Sequence, residues 1–340
     1  MGQFYSGEIN VINKLLVRFA LIWVLFSIMI AGCQPNSIQS TTKVETIATE
    51  TTLKIVVIPV LDALPMYVAQ KEGLFKSRGL NVEFIPVASG AERDQLIASG
   101  QADGMLNELL STILFNKERI QVQVVRYARA ATSDSPLFKI LASAKSGITK
   151  PEQLKDVEIG ISEGTIIAYI TDRLLQKSGL KPSEIKTIGV PKIPERLSLL
   201  NSGQLKAAVL PDPTSSLAIQ QGAVAIMDDT LSPELSFSTL SFRKQVIDEH
   251  PTAIKAFVAA IEEATRMINE DMTQIKWIPV LSDLKLVPAP LLKTYKIPKF
   301  VTAGVPSQTQ FLDVLDWGKG KGIIKTDISY QDSVNPSFLP

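Results

Sequence analysis

From residue 53 onward, apolar and polar positions follow two periods. Short, largely apolar runs at 54–60, 81–86, 104–106, 157–161, 184–190 and 207–210 read as buried parallel-sheet strands, and the segments between them repeat apolar residues every three or four positions, as helices do. This pattern occurs twice. Glu92-Arg93 opens a helical segment that closes on Ser99-Gly100-Gln101, and Glu195-Arg196, 103 residues on, opens one that closes on Ser202-Gly203-Gln204. In both, glycine stands just past the last periodic residue, where a helix stops. Tyr67 and Tyr169 occupy matching places in the helices that follow the first strand of each copy, and those helices give way to Gly79-Leu80 and Gly179-Leu180. Strand, helix, strand, helix, strand, twice over, predicts two similar α/β lobes. A long helical pattern at 251–269, with Pro251 suited to its first turn, has no counterpart in the repeat and is expected to return over the first lobe. Chain crossings between lobes are expected near 137–142 and 238–242.

The N-terminal pattern is different. Lys14 and Arg18 flank an almost wholly apolar run at 19–31, and Ala31-Gly32 precede Cys33, the layout of a secretory signal that ends at a cysteine. Such a run is short for a bilayer span. The small-small-Cys ending resembles the bacterial lipobox, which implies removal of 1–32 and acylation of Cys33. An uncleaved anchor is the other reading, and both place the globular part outside the cytoplasm. Residues 33–52 are rich in Ser and Thr without periodicity and read as a flexible tether.

Composition narrows the chemistry. The chain has one cysteine and one histidine and a formal net charge of +1, with acids and bases mixed throughout. No basic stripe interleaved with aromatics points to nucleic acid. With Cys33 given to a lipid, no thiol is left for a disulfide, a nucleophile or a metal, so neither metal nor other cofactor is expected. His250 begins the long helix in Asp248-Glu249-His250-Pro251, a place for capping or solvation, which leaves no Ser/His/Asp or Cys/His arrangement to assemble.

The segment Leu61-Asp62-Ala63-Leu64-Pro65-Met66-Tyr67-Val68-Ala69-Gln70-Lys71-Glu72-Gly73-Leu74-Phe75, followed by Arg78-Gly79-Leu80-Asn81-Val82-Glu83, resembles the solute-binding proteins of ABC importers. The subgroup serves nitrate, sulfonates, taurine, thiamine-precursor pyrimidines and, in some lipoproteins, riboflavin. Further matches run through the Gly100 to Gly104 turn, through Lys150-Pro151-Glu152-Gln153-Leu154-Lys155-Asp156 and from Phe242 onward, so the resemblance covers 53–324. It implies a two-lobe α/β periplasmic-binding-protein (type II) fold, a Venus-flytrap on a two-strand hinge. Lobe one is then 53–141 plus 241–340, and lobe two 142–240. A small-molecule ligand, an ABC permease with its ATPase, a membrane surface reached through the lipid, and a monomeric state are implied with it.

In open α/β lobes, ligands meet the loops beyond the carboxyl ends of the strands and the helix N-termini that follow. That rule selects Leu61, Asp62, Met66, Tyr67, Ser89, Gly90, Asn107 and Glu108 from lobe one, and Ser162, Glu163, Thr165 and Asp212 from lobe two, with Gly164 and Pro213 beside them. Each has a structural use as well. Ser162 suits a helix cap, Tyr67 a core contact, Asp62 a turn, Asn107 and Glu108 a helix start, and Asp212 a loop between prolines. The selected set holds four carboxylates and no lysine or arginine. Desolvating an anion there is costly, so the set favours a vitamin-type heterocycle, riboflavin or a thiamine-precursor pyrimidine, over nitrate, sulfonate or taurine. Arg126, Arg129 or Lys139 in the cleft would weaken that preference. An enzyme of thiamine-pyrimidine synthesis and a sensor domain on the same fold are the more distant readings.

Overall fold

The computed structural model describes residues 50–340 except Met272, so the leader and Cys33 lie outside the described residues. The chain lays down β1 (Thr51–Val57), α1 (Leu64–Lys71), β2 (Leu80–Pro86), α2 (Gly90–Ala98), β3 (Gly104–Asn107), α3 (Leu109–Phe115) and β4 (Val122–Ala130). The second series is β5 (Phe138–Ala142), β6 (Glu158–Ile161), α4 (Ile166–Lys177), β7 (Lys186–Gly189), α5 (Ile193–Ser202), β8 (Ala207–Pro211), α6 (Thr214–Gln220) and β9 (Val224–Asp228). Then come β10 (Phe237–Arg243), α7 (Lys244–Glu249), α8 (Pro251–Glu270), α9 (Ile278–Asp283), α10 (Gln308–Gly320) and α11 (Tyr330–Ser333).

Two five-stranded sheets form, in the orders β2-β1-β3-β10-β4 and β7-β6-β8-β5-β9. The sequence repeat is thus a repeat of topology. In each sheet one strand runs against the other four, β10 between β3 and β4 in the first sheet and β5 between β8 and β9 in the second, because β10 returns from the second lobe to the first and β5 is the first strand after the chain crosses to the second. β1 begins at Thr51, where Thr51 and Thr52 already pair with Leu80 and Asn81, so the sheet takes in the last two residues assigned to the tether. The crossings also lie earlier in the chain than expected. The apolar stretch 138–142 is a strand of the second sheet, and β10 belongs to the first, which leaves 131–137 and 229–236 as the connections. Asp229 ties these two together by accepting the backbone N–H groups of Leu137 and Phe138, each at 3.0 Å.

The long C-terminal helix covers lobe one as expected. α8 buries Ala253, Ile254, Phe257, Val258, Ala260, Ile261, Ala264, Thr265 and Ile268, the three-and-four spacing of one helical stripe, in the same core as β1, β2 and α1. α10 does something else. It shares a core with α3 of lobe one and α4 of lobe two, and Asp313 accepts from Arg173 at 2.7 Å while Trp317 Nε1 donates to Asp172 at 2.9 Å. The C-terminal region therefore straps both lobes.

Candidate ligand-binding cleft

The ends of the parallel strands in the two sheets face one another across a cavity of about 90 Å³, several times the ~10–15 Å³ that admits one water. Four helix starts converge on it. Ser89 caps α2 by accepting from Glu92 N at 3.3 Å, Glu108 caps α3 by accepting from Ser111 N at 3.1 Å, and Thr165 caps α4 by accepting from Ile167 N at 3.3 Å. The start of α5 brings Ile193 and Arg196. The lobes nearly touch here, since a Cβ added to Gly90 would stand 3.2 Å from Thr165 Cγ2. The described arrangement is closed.

Apolar walls dominate the cavity. Ile58, Val60 and Leu106 come from the first sheet side, Phe138, Ile166, Ile167, Pro191, Ile193 and Pro211 from the second, and Leu137 and Phe237 from the crossings and their exits. Of the residues selected from sequence, Asp62, Ser89, Gly90, Asn107, Glu108, Ser162 and Thr165 line it. Several of these are already committed to the protein. Asn107 Oδ1 accepts from Thr239 and Ser241 while its amide donates to Thr112, and Asp62 accepts from Ser238 at 2.6 Å and from Arg129 at 3.4 Å.

Leu61, Met66, Tyr67, Glu163 and Asp212 do not line the cavity. Leu61 and Met66 are buried in the lobe-one core, and Tyr67 meets Phe84 edge-on at 4.8 Å, because the helix after β1 turns these side chains onto its own sheet. Glu163 is exposed and its carboxyl rests beside Gly189. Asp212 is buried behind the cleft, where it accepts from Lys139 at 2.9 Å, from Ser216 at 2.5 Å and from Tyr295. That pairing also occupies Lys139. Arg126 is absent from the lining, being buried in lobe one against Glu262.

The set selected from sequence held no lysine or arginine, but two arginines outside it line the cavity. Arg93 and Arg196 both line the cavity, from opposite lobes. They are the arginines of the two Glu-Arg openings, and the repeat that revealed the architecture also marked this pair. Their surroundings differ. Arg93 donates to Asp94 at 2.7 Å and to Glu108 at 3.5 Å, so its charge is met. Arg196 is fully buried and donates through Nη1 to Val190 O at 2.6 Å, while Nε and Nη2 have no partner among the described residues. Burial alone pushes its guanidinium down to about 10, still protonated at neutral pH.

Burial also pushes Glu108 up to about 6, against the opposing pull of Arg93, and pushes Asp229 up to about 6. Acids raised on folding strengthen the fold most where they are protonated. Their contribution is complete below the ordinary values of 4.5 and 3.8 and is lost as pH rises through about 6. Lowering pH from 7 to 5 is therefore expected to raise the urea midpoint through these two groups, and Glu108→Gln is expected to flatten the gain. An equal gain in wild type and variant would exclude Glu108 as a source.

Comparison with known proteins gives a coherent picture. The NMT1-like family matches residues 47–280. Among curated proteins, 4-amino-5-hydroxymethyl-2-methylpyrimidine phosphate synthase of Saccharomyces cerevisiae is 29% identical over 126 residues, which is 37% of this chain and 36% of the synthase. The chain thus spans about a third of the length of the curated relatives it matches. Among solved structures, the alkanesulfonate-binding protein SsuA of Xanthomonas axonopodis pv. citri, bound to MOPS, superposes with a TM-score of 0.70 at 15% identity, covering 84% of this chain and 98% of that one. The periplasmic nitrate-binding protein NrtA of Synechocystis PCC 6803 superposes at 0.64 with 16% identity, covering 85% and 87%. At these identities the likeness is one of fold.

Proposed function

The chain belongs to the NMT1-like family and has the two-lobe periplasmic-binding-protein fold, and from that premise we propose that it is the extracytoplasmic solute-binding lipoprotein of an ABC importer. It closes its lobes on a small organic solute and hands that solute to the permease. The observation that carries this reading is the cavity itself, set between four helix starts from two lobes and walled by apolar side chains. Binding between lobes selects the closed state, and only the difference in affinity between open and closed forms drives closure. Cys33, outside the described residues, holds the protein at the membrane near its permease.

A vitamin-type heterocycle, a thiamine-precursor pyrimidine or riboflavin, is the cargo we favour. Apolar walls suit a ring, and Glu108, a buried carboxyl in the lining, offers an oxygen to a ring N–H. The matched yeast synthases make a substituted pyrimidine phosphate, which is the same class of compound. We propose binding without chemistry. Among the described residues, neither His250 nor any lysine lines the cavity.

Thermal unfolding of the full chain, scanned against riboflavin, hydroxymethylpyrimidine, its phosphate, taurine, an alkanesulfonate and nitrate, tests the reading. A cargo at a hundredfold its dissociation constant stabilises the fold by about 2.7 kcal/mol, an easily read shift. Unchanged unfolding across the whole panel would remove the solute-binding reading for these classes.

A further inference from the structure

Around α9, lobe one presents a face that is both apolar and basic. Positions there alternate with helical spacing: Trp277, Val280 and Leu281 are buried in the lobe-one core, whereas Ile275, Ile278, Pro279 and Ser282 are exposed. Ile275 is 68% exposed and Ile278 39%. Exposed isoleucines scattered singly are ordinary, but two on one face with lysines around them mark a contact surface. Residues 273–299 hold five lysines, all exposed, and one acid, in a chain whose formal net charge is +1. The side-chain amide of Gln274 bonds both backbone groups of Ile297 at 2.8 Å, which lays the stretch carrying Lys296 and Lys299 alongside Ile275 and Lys276. Gln274 does so from a left-handed backbone, with φ of 59°, so the turn that presents Ile275 is held in place by its own clamp. Two carboxylates at this turn are already engaged. Asp271 accepts the N–H groups of Thr273 and Gln274, and Glu72 accepts from Lys276 at 3.0 Å.

The bond to Glu72 fixes where this face lies. α1 runs back from the cleft, and the loop that follows it ends beside the start of β1, where Thr51 N donates to Gly79 O at 3.0 Å. Lys276 therefore stands at the end of lobe one where the preceding chain joins β1, opposite the cleft. Cys33 precedes Thr51 by 18 residues, at most about 65 Å of extended chain.

Resting on the lipoprotein reading above, we infer that this face is a membrane-docking surface, which lays lobe one on the anionic headgroups of the bilayer that holds Cys33. Ile275 and Ile278 enter the boundary between headgroups and acyl chains, and Lys276, Lys296 and Lys299 meet the lipid phosphates. Such a patch is weak by itself, but a lipid at Cys33 keeps it at a high effective concentration over the surface. Because the face belongs to lobe one and lies at the end opposite the cleft, lobe two is free to open and close while lobe one is docked.

Residues 48–340, which carry both sheets and every described core residue, test the face without the lipid. The probes are vesicles of phosphatidylcholine alone and vesicles with about 30% phosphatidylglycerol. Each lysine near an anionic surface is worth roughly fivefold in binding, so three are expected to favour the anionic vesicles by about a hundredfold in about 0.05 M salt, a margin lost in about 0.5 M. Lys296→Gln with Lys299→Gln is expected to leave about fivefold of it, with thermal unfolding unchanged. Ile275→Cys takes a single environment-sensitive dye, because Cys33, the only cysteine, lies outside 48–340. Its emission is expected to move to the blue on anionic vesicles, while a dye on Leu231→Cys, 73% exposed at the crossing to lobe two, stays where it was. Equal binding to the two vesicles, or equal shifts of the two dyes, overturns the proposed face. A blue shift at Ile275→Cys that grows with protein concentration in the absence of vesicles assigns the face to a second copy of the chain and overturns the membrane as its partner. No binding to either vesicle also overturns it, yet leaves the lipid anchor standing if the full chain remains in the membrane fraction; loss of the full chain from that fraction defeats the lipoprotein reading itself.

Discussion

Glu262→Ala is expected to lower the unfolding free energy by about 3–5 kcal/mol, seen as a fall in the urea midpoint without a change of slope. Arg126 is 0% exposed on β4, and its guanidinium meets Glu262 through Nε at 3.2 Å and Nη2 at 2.6 Å. The same guanidinium donates to Tyr127 O, Thr265 Oγ1 and Val301 O, and Glu262 also accepts from the backbone of Ala303. Strand, long helix and the segment after it are thus joined at one charge pair. Burial draws Arg126 below its ordinary pKa and Glu262 draws it back. Removing the carboxylate leaves a cation in the lobe-one core with only neutral acceptors. Removing both charges together, as Arg126→Met with Glu262→Leu, is expected to recover most of the loss, since the pair repays little more than its own desolvation. A loss under about 1 kcal/mol in Glu262→Ala would mean that water reaches the guanidinium.

Arg126 and Arg196 mark the boundary between what the sequence discloses and what it does not. Both are buried arginines, and nothing in their immediate sequence distinguishes one that is answered from one that is not. The partner of Arg126 lies 136 residues away, and the missing partner of Arg196 is visible only once Asp212 is seen turned elsewhere. The sheets were legible because their apolar runs end at glycine-stopped helices, so a repeat in sequence became the same strand order in two sheets. The crossings were displaced because 137–142 is as apolar as a strand, and it is one. At the cleft, the rule of strand ends found Ser89, Glu108 and Thr165, whose places follow from capping, but not the direction of Met66 and Tyr67, which the helix periodicity turns into the core. Arg93 and Arg196 lie a turn inside their helices, beyond the loops that the rule inspects, and only their recurrence at the repeat offset pointed to them.

Tyr295→Phe is expected to loosen closure by roughly ten- to a hundredfold, and to weaken any cargo by the corresponding factor. Tyr295 packs against the core of lobe one, whereas Asp212 directly follows β8 of lobe two, so the bond between them crosses the interface. It is a neutral donor on a buried carboxylate, the kind of hydrogen bond worth about 1.5–3 kcal/mol. Burial alone would raise Asp212, but Lys139, Ser216 and Tyr295 outweigh it and hold the carboxyl below its ordinary range. An acid lowered on folding contributes fully above its unfolded value and loses that contribution only as pH falls through the lower folded one. The latch is therefore expected to act equally at pH 5 and pH 8, unlike Glu108, whose titration near 6 falls inside that range. Small-angle scattering from residues 48–340, the compact unit, reads the result directly. A larger radius of gyration in unliganded Tyr295→Phe at both pH values is the expected outcome. An unchanged radius with unchanged thermal stability would show that the interface around Gly90 and Thr165 closes the lobes without this bond, whereas opening confined to pH 5 would assign the latch to a different acid.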